Sequence, residues 1–362
     1  MKPILFLISV VSWLASNSQS DFASRIDSII KSEKQFNGVA LIADRGDIVY
    51  YDAIGLREYA KQVQLKKNDV FELASVSKQF TAMIIMMLKE KGKLGYDDSV
   101  SKYLSVPYQG ITIRHLLTHT SGLPDYQEIM DQHWDKTKVA SNTDILEYLN
   151  KFAPPRLFEP GQKYDYSNTG YVLLASIAEK ASGKDFIDMC NQWIFGPLKM
   201  TSTAIRTLQQ KAKTKNFAIG HLFVKERNSF IRADSFPSSD YTIWLGNRKG
   251  PGRISSTAED LLKWDQALYG QKLVTQTTLQ EAFSPMTLNN GLVSNYGFGW
   301  TLGIDENKKR IVSHSGDNPG YCTRITRFIA KNRTIILLSN NSYPDLGNLV
   351  GKINAVFSQP NF

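Results

Sequence analysis

The two ends of this chain are strand-like and its middle is helical, and that distribution limits the fold more than any single motif does. Near the start, Gly38 to Asp44 and Asp47 to Ala53 are short, rich in Val, Ile, Leu and Tyr, and separated by Arg45-Gly46, so they predict a hairpin. Near the end, Tyr296 to Ile304, Arg310 to His314, Thr323 to Ala330 and Thr334 to Ser339 predict strands, and Leu346 to Phe357 predicts a closing helix. Strands at both ends with helices between them predict an α+β fold, in which one antiparallel sheet is built from both chain termini, flanked by helices, and carries an inserted, mostly helical lobe. The sheet lobe is expected at about 21–70 and 290–362, and the helical lobe at about 71–289. At 362 residues, 42% hydrophobic and 21% charged, the chain can bury a large core, and no repeat or low-complexity tract argues otherwise.

The first twenty residues stand apart from this pattern. Lys2 precedes an apolar stretch from Ile4 to Leu14, and small residues Ser18 and Ser20 follow, as in a signal peptide cleaved before Asp21, with a retained N-terminal anchor as the alternative. Export to a periplasmic or extracellular space is therefore expected, and 21–362 is read as one catalytic domain. Cys190 and Cys322 are the sole cysteines, too few for a disulfide framework, and their pairing stays open. The net charge of +9 favours anionic neighbours such as cell-wall polymers, lipid head groups or carboxylate substrates. No nucleic-acid-binding motif accompanies that charge. The oligomeric state is not legible.

The chemistry concentrates in Phe71-Glu-Leu-Ala-Ser-Val-Ser-Lys-Gln-Phe80, which runs straight into the apolar segment Thr81 to Leu88. On a helix starting at about Ser75, a spacing of three puts Ser75 and Lys78 on one face, one turn apart. A serine needs a neighbouring base to attack, and a lysine lowered in pKa by burial and a helix N-terminus could serve. The same spacing recurs at Ser28 and Lys31, in an ordinary amphipathic segment, so spacing alone does not decide. Further on, His115 and His119 are four apart, but no Glu or third ligand accompanies them, so they are read as structural histidines and no metal is expected. A Pro- and Gly-containing loop, Ala153 to Asn168, delivers Tyr166-Ser-Asn168 to a helix from about Thr169 to Ala181. Tyr-x-Asn also occurs at Tyr148 to Asn150. His314-Ser-Gly316, beginning near a predicted strand, occurs once. The glycine loop Gly250 to Thr257 ends in a Ser/Thr cluster able to cap a helix from Ala258, and its Arg253 is read as a solvated surface arginine, with carboxylate binding as the alternative.

Ser75-x-x-Lys78, Tyr166-x-Asn168 and His314-x-Gly316, in that order, resemble the serine hydrolases of the penicillin-binding and class C β-lactamase superfamily, with its esterase, D-aminopeptidase and DD-peptidase members. Three further stretches match it: His115-Leu-Leu-Thr-His-Thr-Ser-Gly-Leu-Pro, Pro160-Gly-Gln-Lys-Tyr-Asp-Tyr-Ser-Asn-Thr-Gly-Tyr and Tyr296-Gly-Phe-Gly-Trp. The resemblance implies an acyl-enzyme mechanism without a cofactor. Ser75 is the implied nucleophile, with Lys78 and Tyr166 as proton shuttles. Asn168, His314, Gly316 and Asp317 are the implied substrate-binding positions, the amides of Ser75 and Asp317 forming an oxyanion hole. A Lys-Thr-Gly common in β-lactamases is His314-Ser315-Gly316 here, so any contact of His314 with a substrate carboxylate is expected to vary between pH 5 and 8. An esterase or peptidase acting on a small-molecule or peptide substrate is therefore favoured over a β-lactamase, and a non-catalytic wall-peptide binder is the contrasting class.

Overall fold

A computed structural model of the chain describes residues 22–342 and 345–358, so the expected signal peptide at 1–20 lies outside the described residues. The hairpin forms as expected, between β1 (Gly38–Asp44) and β2 (Asp47–Ile54). Its tight turn needs positive φ at both central positions, and Arg45 and Gly46 have φ of 53° and 88°. The other four strands of the main sheet are β3 (Thr301–Ile304), β4 (Arg310–Asn318), β5 (Tyr321–Phe328) and β6 (Arg333–Ser339). Their order across the sheet is β3-β4-β5-β6-β1-β2, so the two chain ends meet in the centre, where β1 pairs with β6. Every neighbouring pair is antiparallel.

All seven residues of β1 and all seven of β6 are buried, because both faces of the sheet are covered. On one face Ala40, Ile42, Ile335 and Leu337 pack against Phe22, Ile26 and Ile30 of helix α1 (residues 22–32) and against Leu349 and Ile353 of the closing helix, Leu346–Val356. On the other face Val39, Leu41, Ile336 and Leu338 join the large core of the helical lobe. Each such aliphatic side chain contributes about 1.5–3 kcal/mol by leaving water. Among the described residues no helix is long and apolar enough to cross a membrane.

Two readings change. The strand expected from Tyr296 begins only at Thr301, because Gly297 and Gly299 turn the preceding stretch under the helical lobe. Gly299 has a φ of +78°, and a Cβ there would lie 2.9 Å from the Lys78 carbonyl. A small three-stranded sheet was also not foreseen. It pairs Phe71–Glu72 and Ala204–Ile205 with Ile254–Ser256, and strands of two or three residues are too short to show a period. Cys190 is a buried free thiol, so it does not pair with Cys322.

Candidate active site

The small sheet sets the position of Ser75. Phe71–Glu72 leads to Leu73, whose N–H donates to the Ile254 carbonyl at 2.9 Å, and the chain then turns sharply through Ala74. Ala74 has a φ of 48°, a left-handed conformation that costs a non-glycine residue about 1 kcal/mol or more. A single 3-10 turn, Ala74–Ser77, passes directly into α2 (Lys78–Glu90). Within Phe71 to Phe80 every residue is buried except Ser75, which is half-buried. The second serine of the stretch, Ser77, is enclosed, and its Oγ accepts the Ile254 N–H at 3.2 Å.

Lys78 is fully buried. Its Nζ lies 3.1 Å from Ser75 Oγ, 2.8 Å from Asn168 Oδ1 and 3.0 Å from the Pro251 carbonyl oxygen. Burial pushes its pKa well below the ordinary 10.5, the buried Arg248 cation pushes the same way, and Asp125 opposes. A neutral amine has two N–H donors and one lone pair. Asn168 and Pro251 can take the two donors, which leaves the lone pair for the Ser75 hydroxyl.

Asn168 is the first residue of α3 (Asn168–Ser182), and it is Ser167 that caps the helix, its Oγ accepting the Gly170 N–H. That frees the Asn168 amide for Lys78. Tyr166 stands one step earlier, with its ring centroid 4.7 Å from Lys78 Nζ and 4.3 Å from the buried His119 ring. Burial raises its phenol pKa and a hydrogen bond with Ser75 works against that rise. Tyr166 therefore stays a phenol near neutral pH.

Strand β4 supplies the opposite wall. Alternation along a strand sends residues two apart to one face, and His314, Gly316 and Asn318 are buried while Ser315 and Asp317 are exposed. Gly316 is where β4 meets the serine turn. A Cβ at this position would lie 2.1 Å from the Leu73 carbonyl oxygen and 3.1 Å from the Ser75 nitrogen. Only hydrogen fits, so the strand backbone can lie against Ser75. Partner strand β3 pairs with β4 only from Arg310 to Ser313, so among the described residues no strand pairs with that edge of β4 from His314 onward.

His314 is buried, and burial above all pushes its pKa down to about 3. Its Nδ1 lies 2.6 Å from the Ser315 carbonyl, which can only accept, so Nδ1 carries the proton. Nε2 is then the acceptor for the Tyr296 hydroxyl at 2.7 Å. The expected titration of His314 between pH 5 and 8 is overturned: it stays neutral throughout that range. Tyr296 was seen as part of a matching stretch but had no role, and only the structure shows it seating His314.

His115 and His119 do local structural work. His115 Nδ1 accepts the Thr112 N–H at a helix start, and His119 Nδ1 accepts the Ser167 N–H at 3.0 Å, fixing the loop that carries Tyr166. The repeated motifs fall elsewhere. Ser28 Oγ bonds the Ser24 carbonyl while Lys31 pairs with Asp27, and Tyr148 and Asn150 lie on the helix Asn142–Phe152. Arg253 is corrected most sharply. It is only 2% exposed and has a φ of 80°.

The antiparallel sheet built from both termini and this arrangement beside β4 define a serine-hydrolase architecture of the β-lactamase and transpeptidase type. The chain belongs to the beta-lactamase family, whose model matches residues 22–355. It is 44% identical to penicillin-binding protein 4* of Bacillus subtilis over 309 residues, 84% of this chain and 68% of that protein. The crystal structure of a penicillin-binding protein from Bacillus halodurans superposes with a TM-score of 0.78 at 25% identity, covering 92% of this chain and 98% of that one. The D-amino acid amidase of Ochrobactrum anthropi SV3, complexed with D-phenylalanine, shares the fold, with a TM-score of 0.75 at 22% identity over 93% of this chain and 99% of that one.

Proposed function

We propose that this protein is a serine hydrolase in which Ser75 is acylated by an ester or amide substrate and then released by water. The observation that carries the reading is the set of partners around Lys78 Nζ, two oxygens to take its N–H groups and a serine hydroxyl left for its lone pair. In this reading Ser75 Oγ attacks the carbonyl carbon while its proton passes to Lys78. The backbone amides of Ser75 and Asp317 stabilise the oxyanion, each worth roughly 3 kcal/mol. The C–N or C–O bond then breaks, and Tyr166 gives its proton to the leaving group and recovers one from Lys78. Water repeats the sequence in reverse on the acyl-enzyme.

The unpaired edge of β4 favours an extended, peptide-like substrate, which can lie beside it as an added strand. Likeness to proteins named for penicillin binding supports a peptide-mimicking acyl donor. Export, with contact at the cell wall or membrane surface, is part of the same proposal and rests on the first twenty residues.

The test is covalent labelling. A fluorophosphonate or a fluorescent penicillin should add to Ser75, identified by mass spectrometry of the modified peptide, and neither Ser28 nor Ser77 should be modified. Undiminished labelling of Ser75→Ala would remove the assignment.

A further inference from the structure

Beside the proposed catalytic residues, and sharing none of them, lies a cavity of about 270 Å³. Its wall includes Glu72, Lys211, Arg253 and Asn318, and its apolar residues include Leu208 and Ile243, both partly exposed. The wall carries three cations, Lys211, Arg232 and Arg253, against two carboxylates, Glu72 and Asp234, and Asp234 is paired with Arg232. Both oxygens of Glu72 are engaged, one by Lys211 Nζ and the other by Asn318 Nδ2 at 2.9 Å. Arg253 approaches Glu72 only to 3.7 Å, beyond hydrogen-bond reach. Nη1 of Arg253 donates to the Thr242 carbonyl at 3.1 Å, while its Nε and Nη2 are enclosed and have no acceptor among the described residues. Arg248 lies close enough to weigh on the Arg253 charge, so two buried guanidinium groups and the largely enclosed Lys211 surround Glu72.

Enclosed guanidinium donors without acceptors are costly, and a local excess of buried positive charge adds to that cost. The backbone is strained at the same residue, since Arg253 holds a left-handed φ of 80°. A glycine would satisfy that backbone at lower cost. Strain, orphaned donors and unbalanced charge meeting at one side chain beside a cavity are what a site for an anion would show.

We infer that this cavity binds a small carboxylate, its head on Arg253 and Lys211 and a short apolar body towards Leu208 and Ile243. At about 30 Å³ per water molecule the space suits a body of only a few carbons. The cavity adjoins the reactive centre through three connections: Glu72 is three residues before Ser75, Asn318 follows Asp317 on β4, and Gly252 packs against the Ala74 carbonyl. The carboxylate is therefore either an acidic group of the substrate or a free acid bound alongside it.

Two measurements decide. In the first, hexanoate and hexanamide are titrated by calorimetry into Ser75→Ala, which separates binding at the cavity from acylation. Hexanoate should bind at least tenfold more tightly than hexanamide. That preference should fall at least tenfold in Ser75→Ala carrying Arg253→Gly, a change the left-handed backbone accepts, and also in Ser75→Ala carrying Lys211→Met. Equal binding of the two probes, or hexanoate binding unchanged by Arg253→Gly, overturns the inference. The second measurement rests on the reading of Ser75 above and compares kcat/KM for mono-p-nitrophenyl adipate and its methyl ester. A carboxylate advantage that disappears in Arg253→Gly assigns the site to the substrate; no advantage, with hexanoate still bound in the first measurement, assigns it to a free acid. If Ser75 never labels but hexanoate binds, the hydrolase reading fails and the anion site stands.

Discussion

Gly316→Ala tests whether the approach of β4 to the serine turn sets the activity. The added Cβ would sit 2.1 Å from the Leu73 carbonyl oxygen, 2.5 Å from Thr323 Oγ1 and 3.1 Å from the Ser75 nitrogen. The first of these neighbours is backbone, so the clash cannot be relieved by a side-chain rotation. Strand and turn must separate by roughly 1 Å, and a displacement of that size costs on the order of 100-fold in rate when it misplaces reacting groups. The stability cost is smaller, about 1–3 kcal/mol for overpacking a buried site. The assay is kcat/KM on p-nitrophenyl acetate, together with the rate of Ser75 labelling and the thermal unfolding midpoint. Gly303→Ala is the control, because a Cβ at that position of β3 meets no atom closer than the Ile311 carbonyl oxygen at 4.0 Å. The expected result is a large loss of kcat/KM for Gly316→Ala in a protein that still folds, with Gly303→Ala close to wild type. A Gly316→Ala protein within about threefold of wild type would refute the claim that only hydrogen fits between β4 and Ser75.

Lys78→Met should abolish labelling of Ser75 and raise the unfolding midpoint at pH 7. A buried amine whose pKa is depressed costs stability below the ordinary lysine pKa of 10.5, and the cost fades as pH rises towards it, so a gain that does not shrink between pH 7 and 10 would contradict the burial argument. His314, with a folded pKa of about 3 against 6.5, contributes stability that is present above pH 6.5 and lost as pH falls towards 3, by up to about 5 kcal/mol. His314→Gln should therefore flatten the acid limb of stability against pH, while leaving the shape of the kcat/KM profile from pH 5 to 8 unchanged; an altered shape would restore a titrating His314. Asn168→Ala should lower kcat more than it raises KM for p-nitrophenyl acetate, by about 10-fold or more, because it withdraws one of the two acceptors that hold the Lys78 amine; a pure KM effect would place Asn168 on the substrate alone.

The sequence by itself determined the large pattern. The hairpin of β1 and β2, the strands near the end and the closing helix were legible because continuous apolar runs and turn residues record burial over five or more residues. Ser75, Lys78, Tyr166, Asn168, His314 and Gly316 could be named because three short motifs in order resemble one family, where the spacing of any one motif does not decide. Tertiary structure decided what carries no local period. It separated Ser75 from Ser28 by giving only the first a buried amine, and it supplied a carbonyl of Pro251 that no side-chain motif encodes. It made His314 neutral by enclosing it beside Tyr296, eighteen residues away in sequence. It turned Arg253 from an expected surface arginine into a buried one, because Gly252 and Ile254 on either side are held against the serine turn. Desolvation depends on what the rest of the chain brings to a residue, and that sum is absent from the residue's own neighbourhood in sequence.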